Sequence, residues 1–420
     1  MKQISDIVKS AVDAIWLSYD PETMQRGFEV LEQAAADGDA DALCFMGRCF
    51  LGEQYVWSGG GFPENETRGE NLIAESVEKG STAGVLCAMR AGIEIENPPV
   101  SLQEAFESIK AQADEGDVFC AYMTANAYFW GDILEIYPEV AEELSAKYSR
   151  EEFEEGYNAM AYPLAVPYYE KSFEGGLSSG FGNYRSIYRS GLTDVNEQRV
   201  EKYLKRLALA GSPVCCNEYG KYLEDKFDNA EEAFRFYKMA YDKGDYLSAY
   251  NLATCYGRGY GVDENLDEAF RLYKEAAEAG NANARFQLGN FYFEGRGNVE
   301  KDYVLAMRWL RKAYEPSADW RAAAEMGVMY QNGWGVEQDS NTAFRYLRRL
   351  EDEDLLDELW EPLDTLVFTA LGVAYAYGRG TGQNIERGVI YLDKAIEYGS
   401  EEAREHRRHF KKGFFGWKQK

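Results

Sequence analysis

Only two histidines stand in 420 residues, His406 and His409. Spaced i, i+3 near the end of the chain, they would share one helix face, as paired metal ligands do. No third histidine exists to complete a site, and a solvated pair accounts for them. The same scarcity removes Ser-His and Cys-His nucleophile arrangements from everything upstream. Seven cysteines include no Cys-x-x-Cys pair. Cys44, Cys120, Cys215 and Cys255 fall where a helix wants a small apolar side chain, and Cys215 and Cys216 point to different faces. An odd count fits reduced thiols in a cytosol. Carboxylate pairs such as Glu151-Glu152 are undiagnostic among 72 acids, most of them on solvated helix faces. Gly257-Arg258-Gly259-Tyr260-Gly261 could be taken for a phosphate cradle. Yet the Gly-x-Gly recurs at 295/297, 333/335 and 378/380 and follows a helix rather than a strand, so it reads as a repeated turn. No catalytic, metal or cofactor site emerges.

That recurrence defines the elements. Leu252, Ala253, Tyr256, Gly259 and Gly261 return as Leu288, Gly289, Tyr292, Gly295 and Gly297, about 36 residues on. A fixed period of this size means stacked units, each burying its apolar face against its neighbours. In eight units one helix ends on a glycine, the left-handed stop signal, eleven residues after a small residue, as in Gly27/Gly38, Ala105/Gly116, Ala269/Gly280 and Gly388/Gly399; the units of Ala306 and Ala343 have Ser317 and Asp354 there instead. The next helix carries a small residue, then leucine or an equivalent at +4, a small residue at +5 and an aromatic at +8. Ala42/Met46/Gly47/Phe50 and Ala322/Met326/Gly327/Tyr330 fit. These positions form one apolar stripe. Nine such helical hairpins run from Ala42 to Gly399. A tenth precedes them, from the i, i+3, i+4 pattern of Ile4, Ile7, Val8, Ala11, Val12, Ile15 and Trp16. No strand is predicted.

The pattern small-x-x-x-Leu-Gly-x-x-Tyr-x-x-Gly-x-Gly-Val, then Asp or Asn, then Ala-x-x-Trp/Tyr-x-x-Ala-Ala-x-x-Gly, resembles the Sel1-like repeat, a cousin of the tetratricopeptide repeat. Tyr330-Gln-Asn-Gly333-Trp-Gly335-Val336-Glu-Gln-Asp339 carries the resemblance most closely. It is strong over 213–350 and 363–400, moderate over 20–130 and loose over 131–210. It implies an all-α fold, a right-handed α/α superhelical solenoid, here of about ten hairpins. It also implies a non-enzymatic adaptor that binds a protein or peptide. Such proteins are often found in bacterial signalling or host interaction. The expected organisation is a capping hairpin over 1–41, a repeat solenoid over 42–400 and a basic, aromatic helix or tail over 401–420. Alternatives are a regulatory module for a catalytic partner chain and a hydrolase with an unidentified site.

Composition agrees. Apolar residues make up 45%, and no run of about 18 apolar residues could span a membrane. Asp6, Lys9 and Asp13 interrupt the N-terminal apolar pattern, so it does not read as a signal peptide, and a cytoplasmic location is expected. A net charge of −27 argues against a phosphate backbone as ligand. It suits a basic peptide or protein.

Candidate partner sites lie in two places. By extrapolation from related superhelices, the first helix of each hairpin lines a concave groove, with positions +3, +6 and +10 facing it. These read Asn183 and Ser186, Glu218, Asn251/Thr254/Arg258, Gln287/Asn290/Glu294 and Glu325/Asn332. A ladder of exposed amides could clamp an extended peptide backbone. The second place is the interruptions of the repeat, near 53–62 with Tyr55 and Trp57, over 132–163, and over 355–366. The last is expected to pack back on the array. The basic tail, with Phe410, Phe414, Phe415 and Trp417, is expected to close the exposed end of the last hairpin.

Overall fold

The computed structural model describes residues 3–52, 61–413 and 416–419. They form two compact units, 1–245 and 246–420. In the first unit, α1 (Asp6–Trp16) packs on α2 (Pro21–Ala36), α3 (Ala40–Phe50) on α4 (Glu66–Glu78), and α5 (Thr82–Ala91) on α6 (Leu102–Glu115). α7 (Val118–Trp130) is followed by α8 (Ile133–Ile136) and α9 (Pro138–Lys147), then packs on the long α10 (Phe153–Glu174). α11 (Phe181–Ser190) pairs with α12 (Glu197–Leu209), and α13 (Pro213–Phe227) with α14 (Ala230–Asp242).

The second unit repeats the arrangement: α15 (Tyr246–Arg258) with α16 (Leu266–Glu278), α17 (Ala282–Glu294) with α18 (Tyr303–Ser317), α19 (Trp320–Asn332) with α20 (Ser340–Asp352), and α21 (Leu363–Tyr377) with α22 (Ile385–Glu397). A short α23 (Glu401–Arg407) and two strands, β1 (Phe410–Gly413) and β2 (Gly416–Gln419), close the chain. The described residues thus hold the expected ten helix pairs.

Each recurring residue of the motif has a local task. The Asp or Asn before the second helix of a pair is its N-cap: Asn265 accepts from the Glu268 amide at 3.1 Å, Asp302 from Leu305 at 2.9 Å, and Asn384 from Arg387 at 3.0 Å. Such caps satisfy amides that the helix cannot. The first glycine of Gly-x-Gly ends the preceding helix in the left-handed region, with φ +71° at both Gly333 and Gly378. The loop is a turn, as its recurrence indicated. The small residue at +5 sets helix separation. A Cβ on Gly289 would meet Leu310 at 2.9 Å, and one on Gly327 would meet Leu347 at 2.7 Å.

The insertions pack inward where they are described. Ile133 and Ile136 are each 4% exposed, and the Tyr157 hydroxyl donates to the Tyr128 carbonyl at 2.6 Å. Leu355, Leu356, Leu359 and Trp360 pack against the core of α19, α20 and α21, as expected for 355–366. Phe62 lies 5.2 Å from Phe28, but Tyr55 and Trp57 fall outside the described residues.

The tail corrects the expectation that no strand would form. β1 and β2 make an antiparallel hairpin with Phe410 opposite Gln419 and Lys412 opposite Trp417. Two four-residue strands are too short for alternation to stand out in sequence. Phe410 is 2% exposed among Phe368, Val389, Leu392 and Ala403, and the Arg407 guanidinium lies 4.2 Å from the Trp417 ring. The histidines are not simply solvated: Nδ1 of His409 and Nδ1 of His406 both meet the Tyr377 hydroxyl, at 2.7 and 3.2 Å.

Candidate functional site

The predicted groove positions separate by unit. In the first unit they are largely consumed internally. Asn183 donates to Asn126 Oδ1 at 3.1 Å and to the Tyr169 hydroxyl at 3.0 Å. Glu218 accepts from Arg185.

In the second unit α15, α17 and α19 present a more varied surface. Arg258 is exposed, while Asn251, Thr254, Gln287 and Glu294 are half-buried. The Thr254 hydroxyl bonds to the Tyr250 carbonyl at 3.0 Å and to the Tyr273 hydroxyl at 3.1 Å. Asn290 departs from the expected exposed amide, at 7% exposure. It follows Gly289, whose missing side chain draws this side of α17 into the packing against Leu310. The stripe is therefore a packed surface with polar openings, not a hydrated ladder.

A polar and aromatic cluster occupies the N-terminal part of α19. Asp319 caps the helix and receives Arg321, Nε to Oδ1 at 3.1 Å and Nη2 to Oδ2 at 2.6 Å. The same Nη2 donates to Asn283 of α17 at 2.7 Å, and the guanidinium lies 4.7 Å from the Phe286 ring. Trp360 completes the cluster, edge-on to Phe286 at 5.9 Å and to Trp320 at 6.3 Å. One turn into α19 lies Glu325, 1% exposed, its Oε2 without a hydrogen-bond partner.

Electrostatics follow from burial and neighbours. Burial pushes the Glu325 carboxyl well above the ordinary carboxylate range; the charges of Glu294 and Asp319 push the same way and Arg321 opposes them. Burial also raises Glu294. Burial works against ionised Asp319 too, but the hydrogen bonds and charge of Arg321 hold it below its ordinary value. Among the described residues no three His, Cys, Asp or Glu are placed to hold a metal ion.

Sequence reasoning placed Glu325 on the stripe but not its burial. Its signal was a carboxyl at +3, where the two preceding copies carry the amides of Asn251 and Gln287. Nothing in the period pointed to Trp360, which arrives from an insertion.

A model of the Sel1 repeat matches residues 203–245, 247–281, 282–315, 320–353 and 369–400. Residues 203–400 thus carry five Sel1 repeats. Sel1 repeat proteins are in general protein-interaction scaffolds and typically non-catalytic. A Sel1 repeat protein from Oxalobacter formigenes is 26% identical over 54% of this chain and 86% of its own, with a TM-score of 0.41. A protective antigen of uropathogenic Escherichia coli with an SLR fold is 20% identical over 91% of this chain and 89% of its own, with a TM-score of 0.45. No curated protein matches the chain. No helix among the described residues is long and apolar enough to cross a membrane.

Proposed function

We propose that this Sel1 repeat chain is a non-enzymatic scaffold that binds a protein or an extended peptide across α15, α17 and α19 of the second unit. The observation that carries this reading is the Arg321–Asp319–Glu325 cluster with Phe286, Trp320 and Trp360. It brings together aromatic rings, an arginine and an unsatisfied carboxyl from α17, α19 and the segment that carries Trp360. Interfaces use this mixture: aromatic anchors, arginine and a few polar groups that fix orientation. The partner is basic, since the chain carries a net charge of −27. The seven cysteines are buried thiols outside any disulfide, which supports a reducing compartment, the cytosol.

The reading is tested with a photo-crosslinking amino acid at Gln287 or Arg258, compared with one at the exposed Arg345 of α20, in the source cell. Adducts of one partner at the first two positions and not at the third support it. Equal labelling at all three, or none at Gln287 and Arg258, refutes it.

A further inference from the structure

We propose that Glu325 anchors a basic side chain of the partner, a lysine ammonium or an arginine guanidinium, entering between α17 and α19. This rests on the interaction reading above and specifies the chemistry recognised at that site. Glu325 is 1% exposed and its Oε2 has no hydrogen-bond partner. Native chains keep few such atoms, because a buried unsatisfied polar group is destabilising, the more so when it is charged. Folding leaves the carboxyl without the donor that a ligand could bring.

The surroundings select that donor. Glu294 and Asp319 are acids, and each disfavours a second negative charge at Glu325. Arg321, the cation nearest in effect, directs its Nε and Nη2 to Asp319 and Asn283 instead. An acidic partner group would add repulsion, and an apolar one would leave the carboxyl unsatisfied. A cation answers Glu325 with a charge-assisted hydrogen bond and offsets the neighbouring charges of Glu294 and Asp319. The described carboxylates are not placed to hold a metal ion, so the cation is an organic one. The segment that carries Trp360 also exposes Glu358 and Glu361, which would draw a basic chain toward the cluster.

A proton links binding to pH. Burial, with the charges of Glu294 and Asp319 and against Arg321, raises the Glu325 carboxyl above its ordinary range, and an entering cation favours the ionised form. Binding then releases a proton, and affinity rises with pH.

The test uses a phage library of random dodecapeptides selected on the full chain. Selected peptides are measured by fluorescence anisotropy at pH 6 and 8 against the native chain, Glu325→Gln and Glu358→Gln. Each variant replaces a carboxyl by an amide of similar shape, one buried and one exposed. The expected result is a lysine or arginine at a fixed place in the selected peptides. Affinity should fall roughly tenfold or more in Glu325→Gln at pH 8, the scale of one hydrogen bond to a charged group. It should change less than about twofold in Glu358→Gln. Native affinity should rise between pH 6 and 8 and that of Glu325→Gln should stay flat. Peptides without a basic residue, or equal affinities of the two variants, would overturn the anchor while leaving the interaction reading intact. If no peptide is selected the anchor also fails, and crosslinking at Gln287 then decides the interaction reading by itself.

Discussion

Nη1 of Arg48 lies 3.3 Å from the sulfur of Cys87, inside the core of the first unit. The guanidinium is flanked by the rings of Phe119 at 5.3 Å and Trp16 at 6.0 Å, and Arg48 is 5% exposed. Cys44 hydrogen-bonds to Cys87, and together with Arg48 this holds the Cys87 thiol below its ordinary range, against the effect of burial. A thiolate there gives a buried arginine an anionic partner.

A pH signature follows. A thiol lowered on folding adds stability that is fully present above its unfolded value and is lost as pH falls through the folded one. Urea unfolding of the native chain and Cys87→Ser should therefore diverge between pH 6 and 9. The native chain should gain on the order of 1 kcal/mol over the serine variant as pH rises. Parallel stability curves would mean that Cys87 stays a neutral thiol.

Glu325 predicts the opposite slope. Its carboxyl is raised on folding, so its contribution is fully present below the unfolded value, near pH 4, and is lost as pH rises through the folded value. Glutamine has a similar shape and no charge to desolvate. Glu325→Gln should match the native chain near pH 4 and exceed it in melting temperature at pH 8. A variant less stable than the native chain at pH 8 would show that the ionised carboxylate is well accommodated.

Glycine substitutions separate spacing from conformational freedom. Gly289→Leu drives a side chain into Leu310, which a Cβ would already meet at 2.9 Å. It should cost ~1–3 kcal/mol or more through overpacking. Gly182 is exposed within α11, and a methyl group added there would meet nothing within 4 Å. Gly182→Ala should stabilise by ~0.5–1 kcal/mol through helix propensity. Chemical denaturation of both variants checks the pair, and a neutral Gly289→Leu would dismiss the close-approach account.

What was legible follows from what the period encodes. A 36-residue recurrence repeats the local tasks, so spacing marked Gly333 as part of a turn and Gly327 as the small residue that lets two helices approach, while the N-cap task of Asp339 emerged only in the structure. The burial of Asn290 was not legible, because angular position on one helix does not say how closely the packing closes over its edge. Nor was the cluster at Arg321: Trp360 comes from outside the repeat, and the period describes only contacts that every copy makes. The carboxyl at Glu325 was visible as a departure from Asn251 and Gln287, and its lack of a hydrogen-bond partner only in three dimensions.

The C-terminal closure divides into an apolar and a charged part. Phe410 is 2% exposed against Phe368, Val389 and Leu392, so Phe410→Ala removes a buried ring and leaves a cavity. Phenylalanine truncations of this kind cost ~3–5 kcal/mol. Arg407 meets Asp393 at 2.6 Å, but the Asp393 side chain is 49% exposed, and pairs open to solvent contribute ~0–1 kcal/mol. Arg407 also lies against Trp417, so Arg407→Ala should lose a little packing as well. Thermal melts at 0.05 and 0.5 M salt should show a large, salt-independent loss for Phe410→Ala. Arg407→Ala should show a small loss, part of which disappears at high salt as the ion pair is screened. If instead Phe410→Ala melts with the native chain, α23 and the hairpin are not a cap, and their aromatic and basic residues are free for recognition.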